Sequence, residues 1–264
     1  MMSDRDDDKQ DSVARKSNTD TIPQIIDLRR HSNLNLNGLL NQNLHSLLLS
    51  HCSLTSFPPI YECFGLRVVH LSNNQIDSIP ISIARLQHLR FLTLDSNKLS
   101  SFPNITLDRL KHLQLSNNQF QSQWPLPEFN HLESLSIRNN QIKTMFHSTY
   151  DSYPSLKQLD ISNNHIKNVP VDIIKIEFLS CSCNQISTLP LDEWTTIASS
   201  SFTEIRLVSL LIGGNPVEFN ENILDKLLIF KTEWDNKRKA IITGTTELDT
   251  TRMSELRKFV CDIA

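Results

Sequence analysis

Leu89-Arg90-Phe91-Leu92-Thr93-Leu94-Asp95-Ser96-Asn97-Lys98-Leu99 decides the reading of this chain, because the same frame returns on both sides of it. The frame is apolar, two variable, apolar, one variable, apolar, two variable, Asn, one variable, apolar. Upstream it is filled by Leu66/Val69/Leu71/Asn74/Ile76 and downstream by Leu110/Leu113/Leu115/Asn118/Phe120. It continues through Leu132/Leu135/Ile137/Asn140/Ile142, Leu156/Leu159/Ile161/Asn164/Ile166 and Ile176/Leu179/Cys181/Asn184/Ile186. Leu44/Leu47/Leu49/Cys52/Leu54 and Leu207/Leu210/Ile212/Asn215/Val217 stand at the ends, giving eight units. Successive intervals from Cys52 to Asn215 are 22, 23, 21, 22, 24, 20 and 31 residues, so an internal repeat, not length, determines the architecture.

Within a unit the apolar fourth and sixth positions alternate with polar ones, the period of a short strand with one buried face. The Asn follows where the chain must turn away, and its amide can both donate to and accept from backbone groups that the turn leaves unpaired. Stacked copies predict a ladder of such bonds. At Cys52 a weak S–H donor fills the slot with poorer hydrogen bonding. Further on, an apolar residue precedes proline in Phe57-Pro58, Ile79-Pro80, Phe102-Pro103, Val169-Pro170 and Leu189-Pro190, where proline fixes φ as the chain starts its return path.

This pattern resembles the leucine-rich repeat superfamily, over about Leu44 to Val217. The resemblance implies an α/β solenoid, a curved horseshoe with a concave parallel β-sheet and irregular or helical segments outside. Eight strands about 4.8 Å apart make a face on the order of 35 Å long, which suits a protein or peptide better than a metabolite. The Ile79-Pro80-Ile81-Ser82-Ile83-Ala84-Arg85-Leu86 stretch is similar to the intracellular class of Ras-associated scaffolds and small repeat-only proteins.

Residues 1–20, rich in Asp, Ser, Asn and Lys, predict a disordered acidic and polar tail. Residues 21–43 have strand-like apolar density without the Asn frame and are expected to form an N-terminal cap or degenerate repeat. The repeats occupy 44–219, and 220–264 form a helical C-terminal cap. The long interval before Asn215 holds Leu191 to Ser201, where Asp192 could cap a short helix with Leu191, Trp194 and Ile197 on one face. Either a longer outer connection packs Trp194 into the core, or the insertion is a binding loop. After Gly213-Gly214-Asn215-Pro216, which lacks the Lys-Ser or Lys-Thr of a phosphate loop, Asn220 or Asn222 can start a helix carrying Ile223, Leu224, Leu227, Leu228, Ile229 and Phe230, with Trp234 beyond. Gly244 is expected to break it, with a second amphipathic stretch over Met253 to Val260.

The net charge of −3 gives no general attraction to phosphate polymers or anionic membranes. No run approaches the roughly 18 apolar residues of a membrane span, and no apolar secretory segment follows Met1. Five cysteines, Cys52, Cys63, Cys181, Cys183 and Cys261, form no disulfide clusters around the array, which favours a reducing, cytoplasmic setting. Asn104-Ile105-Thr106 is one chance match to a glycosylation acceptor. Lys237-Arg238-Lys239 is a solvated helix face, with nuclear import or a phosphate contact as the other reading.

Candidates for chemistry do not converge. His70 and His112 fall two units apart, about 10 Å, too far to share one zinc. Cys181 occupies a buried position beside outward Cys183, with no second paired motif. No serine or carboxylate pair has a partner that spacing brings close. The expectation is therefore a protein without enzyme activity, cofactor or metal.

What remains is the face presented by the third, fifth, seventh and eighth positions. Its formal charges are Asp95, Arg138 and Asp160, which argues against nucleic acid. Leu48, Val68 and Phe91, with His70 and Thr93 beside them, predict one apolar patch, and Phe178 with Leu211 a weaker one. The expected function is a non-catalytic intracellular interaction module, a scaffold or signalling adaptor, holding Leu48, Val68, His70, Phe91, Thr93, Asp95, His112, Gln114, Arg138, Asp160 and Phe178 toward another protein or peptide. A monomer is the expected state. The alternative is a structural or targeting protein that binds through its convex face, acidic tail or C-terminal helices.

Overall fold

The computed structural model describes residues 24–32, 34–122, 124, 126–145, 152–200, 206–207, 209–217 and 220–243. Three-residue strands stack in chain order into one parallel sheet: β1 (Ile25–Asp27), β2 (Ser46–Leu48), β3 (Val68–His70), β4 (Phe91–Thr93), β5 (His112–Gln114), β7 (Ser134–Ser136), β9 (Gln158–Asp160), β10 (Phe178–Ser180) and β11 (Ser209–Leu211). Each repeat strand is the third to fifth position of the frame, and pairing is register-true, so Phe91 faces Val68 on one side and His112 on the other. A second, two-stranded parallel sheet joins β6 (Gln121–Ser122) to β8 (Gln141–Ile142) beyond the Asn turns.

The face has nine strands where the frame predicts eight. The extra strand, β1, pairs with β2 by setting Asp27 opposite Leu48, which aligns Arg29, Arg30 and His31 with Ser50, His51 and Cys52. The first coil is thus a repeat with His31 in the Asn slot, and lacking the Asn it is invisible to the frame.

The predicted ladder is present and continuous. Asn97 donates through Nδ2 to the carbonyls of Leu71 and Leu94, both at 3.0 Å, and its Oδ1 accepts the Ile76 N–H at 3.0 Å. Asn118, Asn140, Asn164, Asn184 and Asn215 repeat the arrangement one coil further each time. Every carboxamide therefore ties its own coil to the one before, with the buried backbone groups satisfied at both ends. Cys52 keeps half of this, its Sγ donating to the Leu28 carbonyl at 3.0 Å.

The eighth position adds a regularity that the frame does not display. Arg30, His51, Asn73, Ser96, Asn117, Asn139, Asn163 and Cys183 all have φ between 53° and 67°. Asn tolerates this left-handed region better than most residues, which accounts for its fourfold use here. Gly214 takes the place in the last coil at φ 71°, and a Cβ there would lie 2.9 Å from the Cys183 Sγ.

Leu and Ile at the frame positions, such as Leu66, Leu89, Leu92, Leu94, Leu110 and Leu113, are essentially without solvent exposure and form one continuous core. The prolines act as expected. Pro80 and Pro170, extended at φ −72° and −61°, lead into 3-10 turns at Ile81–Arg85 and Val171–Lys175 on the outer side. After Pro190 the turn lengthens into α1 (Leu191–Ser200), whose Leu191 and Trp194 are buried. The Trp194 indole N–H donates to the Val171 carbonyl at 2.8 Å, so this segment is a packed outer connection. Asp192 does not cap α1: it lies inside the first turn, and its carboxylate pairs with Lys226 at 2.6 Å. Asn220 does cap α2 (Glu221–Thr243), accepting the Ile223 N–H at 3.0 Å. Trp194 meets Phe230 of α2 with ring centroids 5.7 Å apart, which seats the helix against the last coils. Lys237, Arg238 and Lys239 belong to α2, while the 1–20 tail, Gly244, the Met253 to Val260 stretch and Cys261 lie outside the described residues.

Candidate functional site: the concave face and a cavity at its first coils

Side chains on the open face stand in rows, because equal frame positions of neighbouring strands sit side by side. In the third-position row, Phe91 is 38% exposed and lies flat on His112, centroids 4.4 Å apart and planes 7° from parallel. Val68 flanks Phe91 on the other strand, partly covered. The row continues through Ser134 and Gln158 to Phe178, which is 44% exposed.

The fifth-position row behaves differently. Thr93 is buried, since its hydroxyl joins two neighbours: it accepts from Ser72 Oγ at 3.1 Å and meets His70 Nδ1 at 3.1 Å. Thr93 thus engages Nδ1 of His70 and leaves Nε2 as the other ring nitrogen, facing away from this contact. Burial, with the nearby Arg29 charge, holds the His70 pKa below its ordinary value. Gln114 is exposed, and Asp160 is half-buried with its Oδ1 accepting the Ser162 N–H at 3.0 Å.

In the seventh-position row Asp95 accepts the Ser116 N–H at 2.7 Å. Burial pushes its carboxyl above the usual range while that hydrogen bond opposes the shift. Arg138 is exposed two coils further along. Of the residues expected to form the apolar patch, Val68 and Phe91 share one row with His112, and Leu48 lies diagonally across in the next row beside His70.

Leu48 and His70 line a cavity of about 750 Å³ together with Asp27, Arg29, Arg30, His31, Ser50, His51, Ser72 and Asn73. These are the fifth, seventh and eighth positions of the first three coils, with His31 from the slot position. Asp27 is already engaged by Arg29, through Nε at 2.9 Å and Nη2 at 2.7 Å, which lowers its pKa. His31 Nδ1 sits 3.0 Å from the Arg29 carbonyl, so it donates there. Among the described residues Arg30 has no carboxylate partner. Sequence reasoning passed over this site because its walls depend on β1, which carries no Asn signal.

The cysteines hold no disulfide among the described residues: Cys52, Cys63 and Cys181 are buried and Cys183 is exposed. Burial raises the Cys181 pKa to about 12, so it stays a thiol in the core. No group of three metal-ligating side chains converges among the described residues. No described helix is long and apolar enough to cross a membrane.

Models of the leucine rich repeat match residues 42–99, 109–132 and 155–175. Lumican of Gallus gallus is 28% identical over 188 residues, covering 67% of this chain and 54% of its own length. Lumican of Oryctolagus cuniculus is 30% identical over 149 residues, covering 53% of this chain and 76% of its own. The chain thus spans about half the length of the first of these relatives. Among solved structures, the TLR13–ssRNA13 complex superposes with a TM-score of 0.62 at 24% identity, over 75% of this chain and 29% of that one. The octameric complex of Latrophilin 3, Unc5D and FLRT2 (LRR) gives 0.53 at 26% identity, over 67% and 55%. Register-true coils, the unbroken carboxamide ladder, the family models and these relatives agree: the chain belongs to the leucine-rich repeat superfamily.

Proposed function

We propose that this protein is a non-catalytic interaction module that works inside the cell as a scaffold or adaptor and grips a protein partner on its concave face. The observation that carries the reading is the third-position row, where Val68, Phe91 and His112 form an aromatic and aliphatic stripe on a rigid sheet. Aromatic anchors on a preformed surface supply most of the affinity in interfaces of this kind, since little ordering cost is added on binding. Proteins of this superfamily generally mediate protein–protein interaction, which fits a face without a convergent catalytic set. Cys52, Cys63, Cys181 and Cys183 stand unpaired among the described residues, in keeping with an intracellular setting.

Photo-crosslinking tests the reading directly. A photoreactive residue is placed at Gln114 on the concave face, or at Ile81, 73% exposed on the outer side. In cells, a discrete adduct from Gln114 that disappears in Phe91→Ala/Val68→Ser is the expected result. Adducts from Ile81 alone would move the site to the convex side and defeat the proposal.

A further inference from the structure

We propose that the cavity at the first three coils is a carboxylate-recognising subsite, which takes an acidic segment of the partner protein. This deepens the concave-face reading and rests on it, but it uses different side chains from the Val68/Phe91/His112 stripe.

The chemistry is that of the donors left over once internal pairing is complete. Asp27 and Arg29 satisfy each other bidentately. Arg30 is held at the rim by its left-handed backbone, φ 67°, and by its N–H bond to the Ser50 carbonyl at 3.0 Å. Its guanidinium has no carboxylate partner among the described residues, and a planar fork of donors matches a carboxylate. Beside it the Ser72 to Thr93 contact engages His70 through Nδ1, so Nε2 is the ring nitrogen left to meet a ligand. His51, exposed on the neighbouring coil, adds a second imidazole whose ring N–H can donate to an anion. Leu48 supplies one apolar wall for the methylenes of a Glu or Asp side chain.

An acidic peptide fits better than a nucleic acid. A phosphate polymer needs cations repeated along its track. Here the seventh-position row runs from Arg29 through Ser50 and Ser72 into Asp95, so the positive region ends within three coils. A short acidic stretch ends there too.

The test uses the full chain and a fluorescein-labelled peptide of Glu and Asp spaced by Gly and Ser, followed by fluorescence anisotropy. Expected are saturable binding, loss of binding to the matched Gln/Asn peptide, and at least tenfold weaker binding by Arg30→Gln/His51→Gln. Both substituted side chains are exposed, and circular dichroism checks the fold. Arg67→Gln/Arg90→Gln removes exposed charges from the second frame position outside the cavity and should change binding less than twofold. Equal losses from both double variants, or unchanged binding by Arg30→Gln/His51→Gln, would overturn the subsite. So would tighter binding of a single-stranded oligonucleotide of equal length, or full competition by millimolar inorganic phosphate. Phe91→Ala/Val68→Ser separates the two proposals: if the crosslink depends on it while the acidic peptide never binds, the interaction face stands and the subsite falls.

Discussion

The rings of Phe91 and His112 stack at 4.4 Å across two adjacent strands, although they are 21 residues apart in the chain. Stacking holds a large exposed aromatic in one rotamer before any partner arrives, so less freedom is lost on binding. A double-mutant cycle with Phe91→Ala and His112→Ala should give a coupling of about 0.5 kcal/mol in denaturant unfolding, the low end for aromatic pairs because both rings are wet. Strict additivity would mean that the two rings merely coincide.

Loss of a rung in the middle of the ladder should be costly. Asn118→Ala leaves the Leu94 and Leu115 carbonyls and the Leu99 N–H without their side-chain partner in a buried setting. A destabilisation on the order of 3 kcal/mol follows from the unsatisfied groups. Cys52→Asn is the converse, since Nδ2 can reach the Leu28 carbonyl that now takes the Cys52 thiol beside a long bond from the His31 N–H. A gain of about 1 kcal/mol is expected, visible as a higher urea midpoint. A lower midpoint would show that the first coil is shaped around sulfur.

Trp194 joins two parts of the protein, bonding to Val171 on the outer side of the array and packing on Phe230 of α2. Trp194→Ala should cost about 3–5 kcal/mol. Hydrogen exchange is the sharper measurement, because α2 should lose protection first and β3 to β5 last. Uniform loss across the chain would contradict a local clamp.

The lowered pKa of His70 gives stability a definite pH dependence. The unfolded imidazole takes up its proton around 6.5, and the buried one does so only at lower pH. As pH falls through 6.5 the unfolded state binds more protons, so stability declines until the folded pKa is reached. His70→Gln removes that proton uptake while its side-chain oxygen can still accept from Thr93. The gap in Tm between wild type and His70→Gln should therefore move in favour of the variant from pH 7.5 to pH 5.5. A constant gap would refute the linkage.

What could be read in the sequence is what depends on local spacing. Leu92, Leu94 and Asn97 announce their roles because core, turn and ladder each demand one residue type at one offset. The same register placed Phe91, His112 and Phe178 on the open face. Contacts within a row were not legible, since nothing in the chain says that Phe91 lies on His112 or that Thr93 sinks beneath His70 and Ser72. The left-handed eighth position was spelled out by Asn73, Asn117, Asn139 and Asn163, yet the neighbouring ladder Asn masks it. The cavity stayed hidden because His31 stands where an Asn would have marked the first coil.

Each ladder carboxamide touches only its own coil and the preceding one, so no rung senses how many coils follow. Length is thus a free dimension of this molecule. Splicing in one more copy of a unit between Asn118 and Asn140 would widen the face by about 4.8 Å. The Arg30 rim would be left untouched, so the span of a ligand and the chemistry that greets its acidic end can be varied separately.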